Sequence, residues 1–208
     1  MTNYEKLIVI VVGVLVLFLT LNVFISEWRV ARIEAKNYTV DPFLMEAYEW
    51  LNKNTPKDSV ILALALESNV DIPVYTHNRI FLARAANTIA GEEEILERYF
   101  LSRSLFGFSP EFVSKELATH RWVFYLFIEK YSPRALDTHL RPERYDVFTL
   151  PSYILDQILH KYTTFVVPEK LPYRLDYIFI GPREIALNPK LVQKTKVYDK
   201  NGVTIYKM

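Results

Sequence analysis

Residues 7–25 carry no charged side chain and are built mostly from Leu, Ile, Val and Phe, interrupted only by Gly13, Thr20 and Asn22. Wound as a helix at about 1.5 Å per residue, the segment extends roughly 28 Å, close to the hydrocarbon thickness of a bilayer. A cleaved signal peptide is the competing reading, with an apolar core of about 7 to 15 residues and a small-residue cleavage site. Here Ser26-Glu27-Trp28-Arg29 follows instead. Trp28 suits the membrane interface, and Arg29 and Arg32 can reach toward headgroups. The sequence therefore predicts an uncleaved anchor over residues 1–25, a polar connector over 26–40 and a soluble domain over 41–208. Lys6 precedes the span, whereas Arg29, Arg32 and Lys36 follow it, and by the positive-inside rule this distribution places the domain in the cytoplasm.

The remaining composition is that of a folded domain, with 50% hydrophobic and 24% charged residues over 208 positions. Basic and acidic side chains nearly balance, 25 against 24, so no field draws the chain onto nucleic acid. Cysteine is absent, which excludes disulfides and thiolate metal sites.

After the connector, Asp41-Pro42 opens a helix with an N-cap residue and a first-turn proline. Phe43, Leu44, Ala47, Tyr48, Trp50 and Leu51 recur at helical spacing until Asn54-Thr55-Pro56. Residues 60–66 form a short apolar run expected of a strand covered on both faces. Residues 72–75 and 80–83 read as short strands around the turn Thr76-His77-Asn78. A helix is expected over about 91–105, with Glu92, Glu93 and Glu94 at its positive end and Ile95, Leu96, Tyr99 and Phe100 inward. Ser109-Pro110 starts another helix, burying Phe112, Val113 and Leu117. Residues 122–128 read as a second buried strand, 129–150 as a surface excursion, and 152–162 as a helix buried through Tyr153, Ile154, Ile158 and Leu159. Residues 177–180 form a strand closed by Gly181-Pro182, and 194–207 a hairpin turning at Asn201-Gly202. The sum is an α/β protein: a single N-terminal transmembrane helix, then a three-layer α/β sandwich with a mixed, mostly parallel sheet and a C-terminal β-hairpin.

Local catalytic signatures are missing. The five glycines, at 13, 91, 107, 181 and 202, make neither a dinucleotide fingerprint nor a P-loop. His77, His120, His139 and His160 lack zinc-site spacing, and there is no nucleophile elbow or Asp-x-Asp pair. The sequence thus predicts no catalytic residue, metal or cofactor. Ligand-binding residues in such sheets lie beyond the carboxyl ends of strands. The candidates are Glu67 and Asp71, His77 and Arg79, Arg84 and Asn87, and Arg183 and Glu184. Arg84 with Asn87 suits an anionic or hydroxylated ligand, whereas His77 is most simply a turn residue hydrogen-bonding backbone. Asn37-Tyr38-Thr39 is a formal glycosylation sequon.

Four segments carry a resemblance. They are Glu-Ala-Tyr-Glu-Trp-Leu-Asn-Lys-Asn-Thr-Pro-Lys-Asp-Ser-Val-Ile-Leu-Ala at 46–63, Ile-Pro-Val-Tyr-Thr-His-Asn-Arg-Ile-Phe-Leu-Ala-Arg at 72–84, Asp-Tyr-Ile-Phe-Ile-Gly-Pro-Arg-Glu at 176–184 and Val-Thr-Ile-Tyr-Lys at 203–207. In this order they resemble the C-terminal soluble domain of polytopic prokaryotic membrane glycosyltransferases of the GT-C type, with residues 7–25 in place of the last span. The resemblance implies an extracytoplasmic domain at the cell membrane, against the charge count. We take the extracytoplasmic side as the expectation, because long domains follow flanking charges imperfectly. Enzymes of that type use a lipid-linked sugar donor and a carboxylate between early spans, and no residue here corresponds to it. The implied role is a non-catalytic accessory domain that docks on a multi-span partner or contacts its glycan acceptor. The alternatives are a self-sufficient anchored enzyme acting on a glycan or lipid-linked sugar, and a structural envelope protein.

Overall fold

The computed structural model describes residues 20–22, 24–25, 40–128, 130–131, 149–190 and 194–208. Most of the expected anchor and connector, and most of the excursion at 129–150, lie outside these residues. Thr20, Leu21, Asn22, Phe24 and Ile25 are helical and exposed. Among the described residues no helix is long and apolar enough to cross a membrane. The chain divides into two compact units, Met1–Pro42 and Phe43–Met208, and the elements below belong to the second, starting at its boundary.

Helix α1 (Pro42–Asn54) leads into strand β1 (Val60–Leu62), helix α2 (Leu66–Tyr75), strand β2 (Arg79–Ile80) and a 3-10 turn (Ala85–Asn87). Helices α3 (Glu92–Ser104), α4 (Pro110–Leu117), α5 (His120–Phe127) and α6 (Ser152–Thr163) follow. Strand β3 (Tyr177–Ile180), the short helix α7 (Pro182–Ile185) and strands β4 (Thr195–Lys200) and β5 (Val203–Lys207) complete the domain. The sheet runs β2-β1-β3-β5-β4. Its β1 pairs parallel with both β2 and β3, whereas β5 pairs antiparallel with both β3 and β4. The protein is α/β with a mixed sheet, as expected: two of its four strand pairings are parallel and two antiparallel, and only β5 runs against the other four strands.

Register sorts the strand residues onto two faces. Leu62, Ile178 and Tyr206 share one face, where they pack with Leu101 of α3 and with Phe106 and Phe108 just beyond it. Phe179 and Ile205 share the other, and there Tyr48 of α1 meets Phe179 at 5.8 Å between ring centroids. Helix α2 joins that side, since Tyr75 stacks on Tyr48. Helices α3 to α6 form a second apolar cluster around Tyr99, Phe100, Trp122 and Tyr162. The result is helix, sheet and helix in three layers.

Four strand expectations need correction. Only residues 60–62 of the first run are strand, because the chain turns sharply at Ala63 to Ala65. The Asn69 amide donates to both Ala63 and Ala65 carbonyls, at 3.3 and 2.9 Å, and fixes that turn. Residues 72–75 are the last turn of α2, not a strand; Pro73, which reads as a helix breaker, sits inside the helix. Residues 122–128 fall in α5 and its cap. An unbroken apolar run signals burial on every side, which a short helix between layers meets as well as a central strand does. The strand expected at 80–83 shrinks to Arg79–Ile80, with Phe81 and Leu82 buried beyond it. Tyr153 of α6, expected inward, is exposed.

Other local signals act as read. Ser109 accepts the Phe112 amide at 3.3 Å and caps α4. Asn201 and Gly202 both take positive φ, 53° and 75°, as a type I′ hairpin turn requires.

Candidate functional site

The expected site residues separate into three places. The first lies beyond the carboxyl ends of β1 and β3. Glu184 is fully buried, and its two oxygens accept the Ala65 amide at 3.1 Å and the Gly181 amide at 2.9 Å. One carboxylate thus ties the ends of two parallel strands together. Beside it Arg183 donates to Asp71 at 2.6 Å. Burial works against the Arg183 charge, but the Asp71 carboxylate outweighs it and the pKa is raised. Glu67, in the first turn of α2, pairs with Arg121 of α5 at 2.6 Å. Burial alone would raise its carboxyl; its own backbone amide and then Arg121 hold it below the ordinary range. The sequence places Glu67 and Asp71 in a loop, whereas both stand on a helix and face partners.

Tyr48 adjoins this cluster with its hydroxyl buried and without a hydrogen-bond partner among the described residues. Burial first, then the Asp71 carboxylate, pushes its phenol well above the ordinary value. Burial raises Tyr99 and Tyr125 likewise. A raised phenol contributes stability that is complete below the unfolded value of about 10 and is lost as pH climbs toward the folded one. In an alkaline titration, solvent-exposed phenols are expected to ionise first. The phenolates of Tyr48, Tyr99 and Tyr125 should then appear together with loss of far-UV circular dichroism. Complete ionisation with the dichroism intact would contradict their burial.

The second place is the turn between α2 and β2. The His77 ring Nε2 lies 3.1 Å from the Thr55 carbonyl oxygen, and its backbone amide donates to Asn52 at 2.8 Å. Both contacts hold the turn against α1. Arg79 donates to Asp58 at 3.0 Å.

The third is a crevice of about 520 Å³ beside β2, lined in part by Arg79, Arg84, Asn87, Asn69, Asn78 and Arg98. It joins three of the expected residues and adds three that sequence reading misses. Arg84 lies over the Phe124 ring at 4.4 Å, and its Nε has no hydrogen-bond partner among the described residues. Arg98 donates to the Phe81 carbonyl at 2.9 Å, pairs with Glu94 at 2.8 Å and lies over Tyr173 at 4.3 Å. Asn69 and Asn78 are nearly fully buried, 2% and 4% exposed, and each leaves one amide atom unpartnered among the described residues: Oδ1 and Nδ2 respectively. A groove of about 410 Å³ includes Glu67, Arg183, Arg121 and Trp122 in its wall, where Glu67 pairs with Arg121 and Arg183 pairs with Asp71 outside it.

Behind that groove is an ion pair that the sequence reading did not single out. Arg103 is fully buried and meets Glu116 twice, Nε to Oε2 at 2.7 Å and Nη2 to Oε1 at 3.1 Å. Tyr99 donates to the same carboxylate at 2.8 Å, and Arg103 also reaches the Leu64 carbonyl at 3.2 Å. The guanidinium lies over the Tyr99 and Trp122 rings at 4.9 and 4.6 Å. A signal existed, since Arg103 follows Leu96, Tyr99 and Phe100 on the same helical stripe, and Glu116 falls between Val113 and Leu117.

The chain matches no protein-family model, no curated protein and no solved structure. What the fold and sites define is an α/β domain with a mixed sheet and a cationic crevice at its β2 edge.

Proposed function

We propose that this chain is a membrane-tethered accessory domain at the cell envelope, held by residues 7–25 on the extracytoplasmic side, without a reaction of its own. The observation that carries the reading is the commitment of the strand-end carboxylates. Glu184 holds two backbone amides, Asp71 holds Arg183 and Glu67 holds Arg121. A general acid or base must reach a substrate proton, and these groups are occupied within the fold. The uncharged span and the resemblance to the terminal domain of GT-C-type glycosyltransferases supply the rest: the domain docks on a multi-span protein or on the glycan acceptor that protein serves. Thr20, Asn22 and Gly13 on one stretch of the segment suit helix association within a bilayer.

The test is affinity purification of the tagged full chain from membranes in mild detergent. Stoichiometric recovery of a polytopic protein is expected, and its loss when Gly13, Thr20 and Asn22 are all changed to leucine. A chain that elutes as a monomer, with no membrane protein attached, would contradict docking.

A further inference from the structure

We infer that the crevice beside β2 is a binding site for a small anion carrying hydroxyl groups, in class a phosphate or carboxylate on a polyol. The inference goes beyond tethering, because the site lies wholly within the α/β domain and needs neither the membrane nor a partner.

The wall chemistry carries it. Three guanidinium groups, Arg79, Arg84 and Arg98, and three carboxamides, Asn69, Asn78 and Asn87, share one crevice, and no Asp or Glu is among its lining residues. Arg79 and Arg98 are balanced by Asp58 and Glu94. Arg84 has no ion-pair partner among the described residues, so the crevice holds one uncompensated positive charge. A guanidinium fork matches a phosphate or carboxylate with paired donors. Stacking on Phe124 fixes the plane of that fork and leaves less rotamer freedom to lose on binding.

Hydroxyl recognition rests on the carboxamides. Asn69 cannot turn its amide over, because its nitrogen already donates to two backbone carbonyls, so its oxygen is held as an acceptor. The Asn78 amide meets the Thr55 hydroxyl at 3.0 Å through one of its two polar atoms, which leaves the other without a partner among the described residues. A fixed acceptor on Asn69 and a second unpartnered amide atom on Asn78, both on nearly buried side chains, are what ligand hydroxyls, each donor and acceptor, can satisfy. The volume, about 520 Å³, falls within the range of small-molecule pockets. Phe81, Leu82, Ile95 and the Tyr125 ring give the crevice an apolar floor for the carbon skeleton.

The test is isothermal titration of the full chain in a nonionic detergent with glucose 1-phosphate, glucuronate, inorganic phosphate, glucose and glucosamine. Saturable binding of at least one of the two hydroxylated anions is expected, with inorganic phosphate about tenfold weaker and neither glucose nor glucosamine saturating. Arg84→Met should weaken the bound anion by about tenfold or more. Asn87→Asp places a carboxylate on an exposed residue of the crevice, so it should weaken the anion by roughly threefold without altering the melting temperature. Arg174→Met, outside the crevice, should leave binding unchanged. If Arg84→Met does not fold, Asn87→Asp decides. Phosphatidylinositol in the same micelles displacing the sugar phosphate assigns the anion to a lipid headgroup, and failure to displace it assigns a soluble ligand. Three results would each overturn the inference: no saturable anion binding, equal binding of glucose, or an unchanged affinity in Asn87→Asp.

Discussion

Replacing Arg103 with alanine is expected to lower the unfolding free energy by about 3–5 kcal/mol, the usual effect of removing one partner from a buried ion pair. Arg103 is fully buried, so the change strands Glu116, 8% exposed, without its counter-charge. The pair also spans three elements: α3 supplies Arg103, α4 supplies Glu116, and Nη2 reaches the Leu64 carbonyl just after β1. Losing it frees the turn between β1 and α2 as well as the helix packing. Arg103→Lys keeps the charge but not the two-pronged contact, and should recover only part of the loss. Arg103→Met combined with Glu116→Leu removes both charges while keeping volume, and should be more stable than either single alanine variant. Urea unfolding of the full chain in mild detergent, followed by tryptophan fluorescence, measures all four. Trp122 lies against Arg103 and reports locally. An Arg103→Ala protein within about 1 kcal/mol of the parent would mean that the pair is better solvated than its burial implies.

The parts of the fold legible in sequence are those with a local cause. Asn201-Gly202 forces a hairpin whatever surrounds it, because both residues must take positive φ. Ser109-Pro110 starts α4 by capping chemistry alone. The α3 stripe of Ile95, Leu96, Tyr99 and Phe100 is buried as its spacing requires. Misreadings occurred where burial is complete and periodicity is silent. Trp122, Val123, Tyr125, Leu126 and Phe127 form an apolar run that packs as helix between layers. Residues 72–75 read as a short strand before a polar turn, yet they close α2 with Pro73 inside the helix.

The sites divide in the same way. Arg84 and Asn87 line the crevice beyond β2, where position along the chain puts them, and Arg79 reaches it from the start of β2. Asn69 and Asn78, which also line the crevice, give no sign in the sequence, because an asparagine in a helix or turn carries no local hint of burial. Only the sharp turn at Ala63 to Ala65 and the hydroxyl of Thr55 explain their placement. Glu184 reads as a ligand residue from its place after a strand, whereas its contacts make it the clasp between β1 and β3.

The largest expected effect concerns residues 7–25. Moving an arginine to the centre of a transmembrane helix costs about 2.5–3.5 kcal/mol on insertion scales, so two of them cost roughly 5–7 kcal/mol. Changing Val14 and Leu17 together to arginine should therefore abolish stable insertion while leaving the α/β domain, Phe43–Met208, unaltered in sequence. The direct measurement is alkaline carbonate extraction of cell membranes carrying the full chain, with intact termini verified by mass spectrometry. The parent chain should stay in the membrane pellet after extraction, and the double variant should be released into the supernatant. A parent chain recovered in the supernatant with its first thirty or so residues intact would contradict the tether, and the accessory role built on it.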